Sequence, residues 1–157
     1  MNVLYTDNKI NNTLEAELNA KKVDFSTLIK ESDFISLHVN LNRSTYHLIS
    51  EKELKLMKKN AIIINTSRGP VVDEKSLVKA LQEKWIFGAG LDVYENEPKM
   101  SKQLKELHNV VLQPHSASAT FESRNNMTIL AAKNLIAGLK GEIPPNCVNP
   151  EVFKEKS

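Results

Sequence analysis

The chain has 157 residues, of which 41% are hydrophobic and 25% charged, and its formal net charge is +2. This length and composition are ordinary for one globular domain, and so small a net charge gives no support for binding nucleic acid or an anionic membrane. No apolar run approaches the roughly 20 residues that cross a bilayer, and no secretory signal is recognisable, so we expect a cytoplasmic protein. Cys147 is the only cysteine, which excludes an intrachain disulfide, and we predict no metal site.

Predicted strands and helices alternate along the chain. Apolar runs of strand length lie at residues 2–5, 33–39, 61–65, 87–92 and 110–112. Helical spacing and capping residues predict helices at residues 25–31, from Ser50, from Asp73 to about Glu83 and at 120–139, with an extended tail after them. This alternation predicts an α/β fold, a doubly wound parallel sheet of the Rossmann type with helices on both faces.

Three polar residues follow predicted strands at the point where each strand ends. They are Arg68, Glu97 and His115. Because the carboxyl ends of parallel strands meet at one edge of a sheet, we expect these side chains to converge on one crevice. An arginine, a carboxylate and a histidine together suit a carboxylate substrate with a proton to be moved.

The segments around these residues resemble the motifs of one enzyme family. Residues 65–73 read NTSRGPVVD, residues 88–98 read GAGLDVYENEP and residues 113–115 read QPH. In order, spacing and flanking residues, from about Asn2 to Asn149, the chain resembles the NAD-dependent D-isomer-specific 2-hydroxyacid dehydrogenases. This family includes glyoxylate and hydroxypyruvate reductases and phosphoglycerate dehydrogenase. The resemblance implies hydride transfer between NAD(H) and a small 2-keto or 2-hydroxy acid such as glyoxylate or hydroxypyruvate, in a protein that is a homodimer at full length.

The resemblance also implies a role for each residue of the predicted catalytic site. His115 is the general acid in reduction and the base in oxidation, since the pKa of histidine lies near neutrality. Glu97 holds His115 and favours its protonated form; Glu95 is an alternative on the same loop, but the family's carboxylate directly precedes the proline. Arg68 binds the substrate carboxylate through its forked donors.

Four further residues are expected to contact the cofactor. Asp7 ends the strand that carries the acidic ribose ligand of a Rossmann unit, and its charge favours NAD over NADP because it repels the additional phosphate. By the same resemblance, Thr66 and Asp92 contact the nicotinamide or its amide, and His38 borders the cofactor.

One family feature is missing from the sequence. The glycine fingerprint G-x-G-x-x-G, which brings the backbone close to the pyrophosphate, does not occur among the five glycines. We therefore expect an incomplete Rossmann-type sheet: residues 1–119 as a partial NAD-binding domain lacking its first strand and glycine loop, and residues 120–157 as a C-terminal helix and tail. In the family the missing strand lies mid-sheet, between the strands that match 3–5 and 33–39.

Three functional hypotheses remain open at this point. The chain is part of a working 2-hydroxyacid dehydrogenase, or it is a truncated or split product without independent activity. The third is a non-enzymatic protein that senses a dinucleotide or binds a partner, as do corepressors that resemble this family.

Overall fold

A computed structural model describes residues 1–156, which form two compact units, Met1–His115 and the residues from Ser116 onward. The first unit contains β1 (Leu4–Tyr5), α1 (Asn12–Leu18), β2 (Lys21–Lys22), α2 (Phe25–Glu31), β3 (Phe34–Leu37), α3 (Glu51–Leu56), β4 (Ile62–Asn65), α4 (Glu74–Gln82), β5 (Gly88–Leu91), α5 (Lys102–Lys105) and β6 (Val110–Leu112), with a 3₁₀ turn at Gly69–Val71. The second unit contains α6 (Phe121–Leu139) and a 3₁₀ segment, Pro150–Lys156.

The predicted α/β fold with a parallel sheet is confirmed. Strands β3, β4, β5 and β6 lie in that order in one sheet, and every pair is parallel. The central strand β4 is in register with both neighbours, since Ile63 is opposite Ile35 on one side and Ala89 on the other. The carboxyl ends of these strands therefore lie along one edge of the sheet.

The core lies on the alternating apolar positions of this sheet and on the helices that connect its strands. Ile63 is fully buried, and Ile35 and Ala89 are 3% and 5% exposed. Helix α4 contributes Leu77 and Leu81, which are spaced by one helical turn and are both buried.

Capping side chains fix where the helices of the first unit begin. The Asp24 carboxylate accepts a hydrogen bond from the Thr27 N–H at the start of α2, and Asp73 accepts one from the Ser76 N–H at the start of α4. At α3, the Glu53 carboxylate accepts hydrogen bonds from the N–H and hydroxyl of Ser50, as the sequence suggested.

Besides the two 3₁₀ segments, two short helices and one short strand were not predicted. Helix α1 begins after Asn11, whose side chain accepts from the Leu14 N–H, and none of its residues is buried. Strand β2 consists of two exposed lysines, and α5 is a single turn of four residues. None of them has an apolar period long enough to read from the sequence.

The parallel strands fall into two separate sheets. Strand β1 pairs with β2, with Leu4 opposite Lys21, while β3 pairs with β4. Within residues 1–156, β1 and β3 have no other strand partner, so each sheet ends on an open parallel edge. These are the two strands between which the family resemblance places the missing strand.

In the second unit, α6 begins after Thr120, whose hydroxyl accepts from the Ser123 N–H. Ala137 is the only buried residue of this helix, whereas Phe121, Met127 and Leu139 are well exposed. No helix in the described part of the chain is long and apolar enough to span a membrane.

The open edges lead to a prediction about self-association. Because β1 and β3 each leave a row of backbone groups without a strand partner, the chain by itself should form oligomers or aggregates. Joining it to the N-terminal part of a family member, which supplies the central strand, should give one discrete species with a higher Tm. Size-exclusion chromatography with light scattering and thermal unfolding measure both properties. A monomer of the chain alone that unfolds cooperatively would contradict this expectation.

Candidate active site

The turn that follows β4 presents Arg68 at the edge of the sheet. Asn65 is 1% exposed, and its Oδ1 accepts hydrogen bonds from the N–H and hydroxyl of Ser67 at 3.0 and 2.8 Å. Its Nδ2 donates to the Arg68 carbonyl at 3.0 Å. These bonds fix the backbone on both sides of Arg68, whose exposed guanidinium donates through Nη1 to the Ser67 carbonyl at 2.7 Å.

The loop that follows β5 presents Glu97. The Asp92 N–H donates to the Asn65 carbonyl at 3.0 Å, and this bond continues the pairing of β4 and β5 into the loop. Asp92 itself is 6% exposed. The loop then folds back on itself, because the Tyr94 N–H donates to Glu97 Oε1 at 2.9 Å. This bond leaves Glu97 Oε2 directed toward a second partner.

That partner is His115, which follows β6. His115 Nδ1 lies 2.9 Å from Glu97 Oε2, and the two side chains are 50% and 35% exposed. His115 has a φ of +54°, a left-handed conformation that costs a non-glycine residue of the order of 1 kcal/mol and that recurs at functional sites. The predicted pair of Glu97 and His115 is therefore brought into contact.

The charge of Glu97 determines how this contact is made. Partial burial favours its neutral form, but the hydrogen bonds from His115 and from the Tyr94 N–H outweigh burial and lower the Glu97 pKa below its usual range. Glu97 is thus ionised near neutrality and can only accept, so Nδ1 of His115 carries the proton of this bond. The ring nitrogen Nε2 remains for exchange of a proton with a ligand.

Gly69 brings the turn of Arg68 against the loop of Glu97. A Cβ at position 69 would lie 1.8 Å from the Tyr94 carbonyl oxygen and 2.5 Å from the Glu95 nitrogen. Only glycine permits the backbone segments to approach so closely. Gly69, next to Arg68 in sequence, is therefore packed on the peptide between Tyr94 and Glu95, and Glu97 follows two residues after Glu95.

The predicted cofactor residues lie at strand ends of the first unit. Thr66 is exposed directly after β4, and His38, directly after β3, is exposed with its Nε2 2.8 Å from the Ser36 hydroxyl. Asp7 is exposed beyond β1, and its Oδ1 accepts a weak hydrogen bond from the Lys9 N–H at 3.4 Å. Carboxylate and hydroxyl groups have the chemistry to bind ribose hydroxyls and an amide, so these residues are compatible in type with the two ends of a dinucleotide. The chain has no glycine loop to fit its pyrophosphate, so the fit is partial.

A second cluster joins His47, Asp73 and Glu95, whose ligand atoms lie within 4.8 Å of one another. His47 Nε2 is 2.9 Å from Glu95 Oε1, and both oxygens of Asp73 accept hydrogen bonds from Ser76. Such a set could coordinate a cation, but the same groups are already joined by hydrogen bonds that account for their placement.

Two residues of the site region were not found by sequence reasoning. Asn65 shapes the turn of Arg68. Tyr94, 7% exposed, donates from its hydroxyl to the carbonyl of Gln113 at 2.7 Å, two residues before His115 in the chain. A polar residue closing an apolar strand was the available signal for Asn65. No local signal marked Tyr94, because its partner lies on another strand's loop.

Comparison with protein families matches residues 1–117 to the NAD binding domain of D-isomer specific 2-hydroxyacid dehydrogenases. The glyoxylate reductase of Thermococcus litoralis is 60% identical over 153 residues, which is 98% of this chain and 46% of that protein. That of Korarchaeum cryptofilum is 54% identical over 155 residues, 98% of this chain and 47% of that protein. The chain thus spans about half the length of the curated relatives it matches.

Solved structures agree with these matches. The NAD-complexed D-isomer specific 2-hydroxyacid dehydrogenase of Lactobacillus delbrueckii ssp. bulgaricus superposes with a TM-score of 0.82 at 37% identity, over 94% of this chain and 48% of that one. A glyoxylate reductase from Paecilomyes thermophila gives a TM-score of 0.81 at 43% identity, over 91% of this chain and 44% of that one.

The close approach at Gly69 can be tested with a matched pair of glycine variants. Gly69→Ala should lower the free energy of unfolding by about 3 kcal/mol, the upper range for overpacking, because the new methyl group would overlap the Tyr94 carbonyl. Gly138→Ala is the control: it has open space in α6 and should be neutral or stabilising by up to about 1 kcal/mol. Urea denaturation of both variants, made in the chain joined to the N-terminal part of a family member, measures the two changes. Equal stability of the two variants would show that the loops can separate without cost.

Proposed function

Because the chain belongs to the D-isomer specific 2-hydroxyacid dehydrogenases, we propose that it supplies the proton-transfer and carboxylate-binding groups of an NAD-dependent reductase of small 2-keto acids. The observation that carries this proposal is the contact of 2.9 Å between His115 Nδ1 and the ionised Glu97, beyond the carboxyl ends of parallel strands. Such a pair is suited to general acid–base catalysis, and Arg68 at the same edge is suited to a carboxylate.

The proposed reaction is the reversible reduction of a 2-keto acid to a 2-hydroxy acid. The family domain that the chain matches is an NAD binding domain, and NAD(H), when bound, would supply or accept the hydride at the substrate C2. His115 gives the proton from Nε2 to the carbonyl oxygen as the C–O bond becomes single, and it removes that proton in the oxidation. Glu97 accepts the hydrogen bond from Nδ1–H of His115, which orients the ring and keeps Nε2 as the nitrogen that exchanges the proton.

We propose Arg68 as the group that binds the substrate carboxylate. Its guanidinium is exposed, while the Asn65 bonds hold its backbone at the sheet edge. Two parallel N–H donors match two carboxylate oxygens and would orient the adjacent carbonyl toward His115. Glyoxylate is the first substrate to test because the Thermococcus litoralis and Korarchaeum cryptofilum relatives are glyoxylate reductases.

For the cofactor we propose Asp7 at the adenosine ribose, Thr66 and Asp92 near the nicotinamide amide, and His38 at the border of the dinucleotide. All four lie at or just beyond the carboxyl ends of strands, where ligands of parallel sheets bind.

For the whole protein we propose, on the resemblance alone, a homodimer in the cytoplasm.

The acid–base role is tested in a fusion of residues 1–157 to the N-terminal part of the Thermococcus litoralis glyoxylate reductase. The fusion should oxidise NADH with glyoxylate, and His115→Ala should lower its turnover about 100-fold or more, as expected for loss of a general acid. Residues 1–157 alone are the control and should show no turnover, because the site is open to water and lacks the pyrophosphate loop. Unchanged turnover of the His115→Ala fusion would refute the role of His115 as the general acid, whereas a fusion without any turnover would favour a non-enzymatic function.

The nucleotide preference gives a separate prediction in the same fusion. Asp7 is exposed at the end of β1, and its negative charge should repel the 2′-phosphate of NADP. Asp7→Ala should therefore raise kcat/KM for NADPH relative to NADH, measured at saturating glyoxylate. Asp33→Ala serves as the control, since it also removes an exposed carboxylate but one that pairs with Lys58. If the ratio of kcat/KM for NADPH to that for NADH changes equally in both variants, the net charge of the protein and not the position of Asp7 determines the nucleotide preference.

A further inference from the structure

We propose that Glu95 is a positioning residue for the reaction proposed above: it holds the loop of Glu97 against the turn of Arg68 and thereby keeps Glu97 in contact with His115. The inference rests on the proposed function for its chemical meaning, but its structural content can be measured without turnover. It gives a role to a carboxylate that does not contact His115 itself.

Both carboxylate oxygens of Glu95 have hydrogen-bond partners. Oε1 lies 2.9 Å from His47 Nε2, and Oε2 accepts a hydrogen bond from the Glu74 N–H at 3.1 Å. In return the Glu95 N–H donates to Glu74 Oε2 at 3.0 Å. The Glu95 side chain is only 21% exposed, so these bonds are partly shielded from water. Glu95 is therefore clamped to the start of α4 from both its backbone and its side chain.

His47 connects this clamp to the turn of Arg68. The His47 N–H donates to the Pro70 carbonyl at 2.8 Å, and its ring stacks on Tyr46 with centroids 4.0 Å apart. His47 also has a φ of +49°, a conformation that the surrounding contacts must hold in place. The backbone of the histidine that binds Glu95 is thus anchored to Pro70, two residues after Arg68 in sequence.

Glu95 is connected to Glu97 through a short stretch of backbone and through hydrogen bonds of Tyr94. The peptide between Tyr94 and Glu95 packs on Gly69, and the Tyr94 N–H binds Glu97 Oε1 at 2.9 Å. The Tyr94 hydroxyl, whose pKa is raised by burial, stays protonated and donates to the Gln113 carbonyl. A displacement of Glu95 would therefore move the donor that orients Glu97 and disturb the support of the His115 loop.

The test uses two variants of Glu95 and a matched control. Glu95→Ala removes both acceptors. Glu95→Gln keeps a carbonyl oxygen for the Glu74 N–H and an amide that can donate to a neutral His47, so it should rescue the position. Asp24→Ala removes a carboxylate that likewise accepts two hydrogen bonds, both from Thr27, at a different helix. It should cost about 1 kcal/mol of stability without affecting the site.

The readout is the titration of the Glu97 carboxyl group, followed by ¹³C NMR in the fused protein, whether or not the fusion is active. In Glu95→Ala the Glu97 pKa should rise toward its ordinary value, because the bonds from His115 and the Tyr94 N–H that lower it are weakened. Glu95→Gln and Asp24→Ala should titrate like the parent. Should Glu95→Ala prove unstable, His47→Ala takes its place with the same expected direction. A Glu97 titration that is unchanged in Glu95→Ala, or in His47→Ala where that variant takes its place, overturns the proposal.

Kinetics of the fused enzyme give the second readout. A displacement of reacting groups by about 1 Å costs about 100-fold, so Glu95→Ala should lower kcat/KM by that order while Glu95→Gln and Asp24→Ala stay near the parent. If Asp24→Ala loses as much as Glu95→Ala, general destabilisation explains the loss and Glu95 has no positioning role. A fusion without activity would refute the proposed function, whereas the NMR titration would still decide the role of Glu95.

Discussion

The parallel pairing of β4, β5 and β6 is the constraint on which the rest of the site depends. Backbone hydrogen bonds fix the register, with Ile62 opposite Gly88 and Ala89 opposite Val110, so the residues that leave these strands do so at one edge. The register depends on close strand contact: a Cβ at Gly88 would lie 2.9 Å from the Asn109 carbonyl oxygen. Arg68 and His115, 47 positions apart in the sequence, are brought to the same edge by this pairing rather than by contacts of their own.

A sheet edge alone does not bring side chains to hydrogen-bonding distance, and the loops supply that precision. Gly69 lets the turn after β4 pack on the loop after β5, and Tyr94 ties this loop to the one after β6. The contact between Glu97 and His115 is the result of these backbone approaches. Because each link is a backbone or buried group, the pair is held by the fold and needs no ligand to form.

Much of the fold and of the site was predictable from the sequence, and the exceptions have physical reasons. Apolar runs predict β3 to β6 because buried strands require them. Arg68, Glu97 and His115 could be selected because they are polar residues that follow those runs. Strand β2 was missed because two lysines carry no periodic signal, and its existence depends on pairing with β1. Tyr94 and His47 were missed as supports because their partners, Gln113 and Glu95, are distant in sequence. Long-range hydrogen bonds leave no local pattern.

The arrangement separates two requirements of a dehydrogenase. The groups that we propose for proton transfer lie within the first unit and are in contact, whereas the glycine loop that a dinucleotide pyrophosphate needs is not in the sequence. His115 and Glu97 are half and one-third exposed, so water competes for the same donors and weakens their electrostatic effect. A second segment that fills the open edges between β1 and β3 therefore has no need to build the acid–base pair. Under the proposed function it has to hold the cofactor, cover the site and exclude water, which are the conditions that the proposed acid–base pair needs for catalysis.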